Sequence, residues 1–429
     1  MIKRLTATTS CADTILKGLY IEMNRWLGSG MSFKVARMAL ALLALSWVGN
    51  AATTPTIHHV VHRRAVHSKR VVTHHVVRRA TTRTGVLASI EPVTVGRKRT
   101  AHRVFFSPWT EPTYADSTFG DSIDGEDLVA RKAAVDALGP YNGTVIVANP
   151  DTGRLLAVVN QKLALKGAYQ PCSTVKLVVS LASLKEGLVD TTTRIQLSRR
   201  YSMDLTGALA HSNNHFFATL GERLGYDRVA AYTKLFGIGE KAGLDIPGEE
   251  PGYVASQTPD SGMGMMTSFG DGIRITPLEL TSIVSTIANG GTMYYLQYPR
   301  SQDEIGKFVP RVKRELEIQQ YIPDVKPGME GAVEYGTARR ASYGNSEPIF
   351  GKTGTCTDTA QPGVHLGWFG SFTEVGTTRV AVVVLLTGGR GVAGPIASGI
   401  AGGVYQNLAA QHYFATPDAV ATKLVSIQK

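Results

Sequence analysis

Ile349-Phe350-Gly351-Lys352-Thr353-Gly354-Thr355 is an apolar run that carries a single charge, and its reading decides the fold. Apolar residues flank the lysine on its N-terminal side, so the run reads as a strand entering a core rather than a solvent-facing turn. Two similar runs follow at 366–372 and 380–386, and 394–410 has the pattern of a closing helix. Far upstream, 145–148 and 154–159 flank Asn149-Pro150-Asp151-Thr152-Gly153, which has the residues of a hairpin turn. Between these ends the periodicity is helical. A helix is expected from a cap at Asp124 towards Leu138, stopped by Gly139-Pro140. Another spans 174–185 and ends at Gly187, and 205–290 is mostly helical. Strands at both ends with helices between give an α+β fold, in which one antiparallel sheet is built from both ends of the domain with a helical subdomain inserted.

The 429 residues are 43% hydrophobic, which supports a sizeable core and excludes global disorder. No run of 18 uncharged apolar residues exists, which excludes a polytopic membrane protein. Three cysteines exclude a disulfide-dense mini-protein. The net charge of +11 suggests a polyanion binder until it is mapped. Residues 1–105 carry 17 Lys and Arg against 3 Asp and Glu, a charge of +14, whereas residues 106–429 carry 28 against 31, a charge of −3. A nucleic-acid-binding domain would carry its charge on the fold, so no nucleic-acid partner is expected.

The basic arm divides in two. Residues 31–52 read as an export signal, with Lys34 and Arg37 before an apolar stretch from Met38 to Val48 and small residues at Gly49-Asn50-Ala51. Met31 is an alternative start, and the segment is either cleaved or kept as an anchor. Residues 53–105 are low-complexity: His58-His59-Val60-Val61-His62-Arg63-Arg64-Ala65 returns as His74-His75-Val76-Val77-Arg78-Arg79-Ala80. Seven of the 11 histidines lie here, so metal binding is one reading. No acid or cysteine joins them at ligand spacing and adjacent arginines repel a cation, which favours a solvated basic tether resting on anionic envelope polymers. The resulting division is 1–52 extension and export signal or membrane anchor, 53–122 tether, 123–415 globular domain, and 416–429 tail.

Three motifs in the domain carry chemistry. In Tyr169-Gln170-Pro171-Cys172-Ser173-Thr174-Val175-Lys176, Ser173 opens the expected helix and Lys176 follows one turn later on the same face. A serine hydroxyl needs a base to attack, and a lysine is one when burial or a second cation lowers its pKa. The alternative for Ser173 is an ordinary helix cap. In Ser212-Asn213-Asn214, Ser212 offers a proton relay and Asn214 an amide contact for a peptide, against the alternative of a cap for the stripe beginning at Phe216. In Lys352-Thr353-Gly354-Thr355, a lysine beside a strand edge can hold a carboxylate, and Gly354 lets a ligand lie close to the backbone. The N–H of Thr355 would complete an oxyanion hole with that of Ser173.

Together the three motifs, in this order, resemble the penicillin-recognising transpeptidase family over roughly residues 124–412. Gly243-Leu244-Asp245-Ile246-Pro247-Gly248-Glu249, Gly270-Asp271-Gly272, Thr276-Pro277-Leu278-Glu279-Leu280, Gly336-Thr337-Ala338-Arg339 and His365-Leu366-Gly367-Trp368-Phe369 are similar to the same family. The resemblance implies an exported, periplasmic serine D,D-transpeptidase without metal or cofactor. It would crosslink peptidoglycan stem peptides and be acylated by β-lactam antibiotics. Ser173 is then nucleophile, Lys176 base, Ser212 relay and Asn214 a substrate contact, while Lys352 and Thr353 bind the carboxylate and Thr355 serves the oxyanion hole. The alternatives within the superfamily are a β-lactamase, a D,D-carboxypeptidase or a non-catalytic penicillin sensor. Glu249-Glu250 fall where class A β-lactamases carry a deacylating glutamate, but their surroundings look like the transpeptidase pattern. Residues 53–123 are too short and polar for the large N-terminal module usual in the family. Cys172 stands where glycine is usual. The implied oxyanion hole brings Ser173 and Thr355 together, so their neighbours Cys172 and Cys356 are expected to form a disulfide, similar to one in carbapenem-hydrolysing class A β-lactamases. The alternative is two buried thiols that only pack.

Overall fold

The computed structural model describes residues 110–414 apart from Asp245, all within one compact unit spanning 99–429. The export signal, residues 53–105 of the tether and the tail at 416–429 lie outside the described residues. Residues 110–122, grouped by composition with the tether, are hydrogen-bonded to the domain: Ala115 N donates to the Pro140 carbonyl, and Asn142 N to that of Thr113. Asp121 accepts from the N–H groups of Asn160 and Gln161.

α1 (Leu128–Leu138) is capped by Asp127, whose carboxylate accepts from Val129 N and Ala130 N. Asp124 cannot fill that place, because Gly125 at φ 81 breaks the chain direction between the two acids. β1 (Gly143–Ala148) and β2 (Leu155–Val159) pair antiparallel across the expected turn. α2 (Lys176–Lys185) follows a 3-10 turn over Cys172–Val175 and is buried as far as Leu184. It is buried on every side, including the face that carries Lys176, Ser180 and Ser183, which places it at the centre of the domain rather than on its surface. α3 (Leu205–Ala210), α4 (Asn214–Leu235), α5 (Met263–Phe269), α6 (Pro277–Ala288) and α7 (Ile322–Glu334) complete the helical region. β3 (Ile349–Thr357), β4 (His365–Val375), β5 (Thr378–Gly388) and α8 (Gly394–Ala410) close the chain.

The sheet has five strands in the order β2-β1-β5-β4-β3, and every pairing is antiparallel. β1 joins β5 through the register Gly143↔Leu386, so the first strand of the domain lies against the last. Alternation assigns neighbouring residues to opposite cores. Val145, Val147, Val382, Val384 and Leu386 face α1 and α8, whereas Ile146, Ala148, Ala381, Val383 and Leu385 face the helical region. Burial on both faces explains why these strands read as continuous apolar runs. β3 stands at the sheet edge beside the helical region, and the chemistry lies at that seam.

Candidate active site

The turn before α2 is held on several sides. Tyr169 and Ile275 exchange two backbone hydrogen bonds of 2.8 Å. Trp368 Nε1 donates to the Gln170 carbonyl at 2.9 Å, and Gln170 Nε2 donates to that of Phe269 at 3.0 Å. Pro171 sits where Cβ atoms on Gly270 or Gly354 would fall, 2.3 Å from its Cγ and 2.9 Å from its carbonyl oxygen. Gly354 therefore admits the protein's own serine-bearing turn to the strand, a closer neighbour than the ligand expected from sequence.

Ser173 makes no helix cap. Its Oγ lies 3.0 Å from Lys176 Nζ and 3.4 Å from the Ser268 carbonyl oxygen. Lys176 Nζ also donates to the carbonyl of Ser212 at 2.9 Å and to Asn214 Oδ1 at 2.6 Å, and lies 3.1 Å from Ser212 Oγ. Asn213, between them, takes the capping duty: its side chain accepts from Phe216 N at 2.9 Å. The cap and the chemistry thus fall on different residues of one tripeptide. Phe217 lies under Lys176 Nζ, with its ring centre 5.4 Å away.

Lys352 is fully buried, and its Nζ donates to the Thr353 carbonyl at 3.1 Å. Thr353 Oγ1 is 2.7 Å from Thr337 Oγ1. Thr355 is exposed, and its hydroxyl accepts from Gly394 N at 2.8 Å. Cys172 and Cys356 form a disulfide with their Cα atoms 5.7 Å apart, which ties the serine turn to β3. Burial, reinforced by the nearby Lys352 charge, pulls Lys176 from 10.5 down to about 6. Burial pulls Lys352 down to about 7. A lysine near 6 is a neutral amine at neutral pH, with a lone pair available as a base.

The expected residues therefore converge: Ser173, Lys176, Ser212 and Asn214 form one contact cluster, and the disulfide brings the Lys352 strand against it. Sequence reading missed the Ser268 carbonyl, Phe217 and Thr337. Thr337 lay inside a recognised segment without a role, and a backbone carbonyl has no sequence signal. Among the described residues, no group of three or more His, Cys, Asp or Glu is placed to hold a metal ion.

Comparison with known proteins gives the class of the domain. The family model for the penicillin binding protein transpeptidase domain matches residues 143–406, and the chain belongs to that family. It is 30% identical to stage V sporulation protein D of Bacillus subtilis over 227 residues, 46% of this chain and 34% of that protein. It is 27% identical to the peptidoglycan D,D-transpeptidase PbpA of Mycobacterium tuberculosis over 319 residues, 58% of this chain and 63% of that protein. These matches span between one third and two thirds of the relatives' own length. In fold, the chain is similar to the crystal structure of Pseudomonas aeruginosa PBP2 in complex with WCK 5153. The TM-score is 0.57 at 24% identity, covering 68% of this chain and 78% of that one.

Proposed function

We propose that this chain is an exported serine D,D-transpeptidase that crosslinks peptidoglycan stem peptides through an acyl-enzyme on Ser173. The observation that carries the reading is a buried amine, Lys176, 3.0 Å from a serine hydroxyl and depressed to about 6. Two of its contacts, the Ser212 carbonyl and Asn214 Oδ1, can only accept. A neutral amine meets both with its two N–H groups and keeps its lone pair for the Ser173 proton. Asn214 thereby orients the base, in addition to the substrate contact that the family resemblance assigns to it.

In the forward step the Ser173 oxygen bonds to the penultimate D-alanine carbonyl while Lys176 takes the hydroxyl proton. The N–H groups of Ser173 and Thr355 receive the developing oxyanion. Ser212 Oγ, 3.1 Å from the same lysine, passes the proton to the nitrogen of the departing D-alanine as the C–N bond breaks. Protonated Lys352, with the Thr353 hydroxyl, receives the terminal carboxylate. An amine of a neighbouring stem then bonds to the acyl carbon as the ester bond to Ser173 breaks, and the proton the amine loses returns to the serine oxygen through Lys176. The substrate lies outside the cytoplasmic membrane, so residues 31–52 serve export and residues 53–105 bind anionic envelope polymers. No helix of the described residues is long and apolar enough to cross a membrane.

The Cys172–Cys356 bridge is the feature that favours a hydrolase of the same superfamily. Against it, Glu249 accepts from Gly243 N and Leu244 N at 2.9 and 3.0 Å, and Glu250 from Gly167 N at 2.9 Å. Backbone N–H groups occupy both Glu249 oxygens and one of Glu250, and neither side chain is hydrogen-bonded to Ser173, Lys176, Ser212 or Asn214. The test adds a fluorescent penicillin and a chromogenic cephalosporin to the purified protein. A lasting adduct at Ser173, absent in Ser173→Ala, supports the transpeptidase. Rapid cephalosporin turnover replaces it with the hydrolase, and normal labelling of Ser173→Ala refutes both.

A further inference from the structure

Residue 172 holds a backbone shape that its side chain does not favour. Cys172 sits at φ 50, where the Cβ of an L-residue crowds the backbone and glycine does not. Asn160, also at positive φ, has the compensation typical of its type: its carboxamide accepts from Leu163 N. Cysteine offers no such local bond. Its compensation is the covalent link to Cys356, which stands on β3 paired with Leu366 of β4.

The rest of the turn has little freedom. Pro171 is seated against Gly270 and Gly354, and the carbonyl of Pro171 accepts from Thr174 N and Thr174 Oγ1 at 3.1 and 2.7 Å. The Ser173 N–H belongs to the peptide plane that joins residue 172 to residue 173. Rotation about residue 172 therefore swings this N–H and carries the serine hydroxyl with it.

We propose that Cys172 is a positioning residue: its bond to Cys356 holds the backbone at residue 172 in the left-handed region and so aims the Ser173 N–H and Oγ at the substrate carbonyl. A covalent tie does here what conformational freedom lets a glycine do. The inference rests on the acyl-enzyme reading above and deepens it.

The test compares two variants that both lack the bridge, Cys172→Gly/Cys356→Ser and Cys172→Ala/Cys356→Ser. Acylation by fluorescent penicillin is timed below both melting temperatures, with near-ultraviolet circular dichroism to verify the fold. The glycine variant is expected to acylate within about threefold of wild type, and the alanine variant at least about tenfold more slowly, the factor set by ~1.4 kcal/mol of backbone strain. Equal rates in the two variants, whether fast or slow, overturn the proposal, because the backbone preference of residue 172 then does not matter. A wild-type protein that takes no label overturns the acyl-enzyme reading and this inference with it.

Discussion

Both sides of the sheet bury cations, and they treat them differently. Beside α1, Arg131 donates to Asp121 at 2.8 Å and to the Val158 carbonyl at 2.8 Å, with Glu126 3.5 Å away. Asp121 is further held by two backbone N–H groups, and Glu126 by Val158 N and the Tyr298 hydroxyl. On the other side, Lys176 and Lys352 are fully buried with neutral partners; burial lowers the pKa of both, and the Lys352 charge adds to the lowering at Lys176. A compensated buried charge organises structure, whereas an uncompensated one loses its proton and becomes reactive. The first region ties the N-terminal segment to the sheet, and the second stores a base.

Substitution by methionine separates the two regions most sharply. Lys176→Met should slow acylation by the ~10²–10⁴-fold typical of a lost base while raising the melting temperature, because a desolvated amine leaves the core. The gain should shrink as pH rises from about 6 towards 10.5: over that window the unfolded chain holds a proton that the folded chain lacks, so wild-type stability climbs with pH. Arg131→Met should do the reverse. It strands Asp121 and Glu126 and should cost ~3–5 kcal/mol in denaturant unfolding, with acylation unchanged while folded. A Lys176→Met protein less stable than wild type, or an Arg131→Met protein slow to acylate, would break the contrast.

The pH profile gives a smaller effect. Acylation requires Lys176 neutral and Lys352 charged, so the second-order rate should rise through about 6 and fall above about 7. Lys352→Met removes the neighbouring positive charge, so the ascending limb should move to higher pH. A limb that stays in place would mean that the two lysines do not interact. Smallest for the chemistry is deletion of residues 53–105: acylation of a soluble penicillin should not change. Association with isolated cell envelope should weaken, most at low salt, because exposed charges are screened over ~8 Å at physiological ionic strength. Salt-independent association would argue against a polyanion-binding arm.

The five strands were legible because continuous apolar runs between turn residues have few other readings, and Ser173 with Lys176 because their spacing put them on one helix face, whereas Ser212 and Asn214 gained their roles only from the family resemblance. The cap of α1 was not legible: the sequence pointed to Asp124, whereas Asp127 takes the place once Gly125 has turned the chain. Nor was the division of labour in Ser212-Asn213-Asn214, since cap and amine contact depend on which side chain the turn at Ser212, φ 55, points inward. The disulfide followed from what the family resemblance implied for the oxyanion hole, but the left-handed backbone at Cys172 did not. Backbone conformation at a single residue is set by its tertiary ties, which spacing does not encode.

The pairing of β1 with β5 also has a consequence for order in time. β1 leaves the ribosome more than 200 residues before its partner Leu386, and Ser173 precedes Lys352 by 179 residues. Contacts so distant along the chain close slowly, after local helices have formed. The reactive serine is therefore made early and completed last. Until the last strands are in place the chain carries Ser173 without Thr355 or Lys352 beside it, so on the mechanism proposed above acylation waits for the end of the sheet to form.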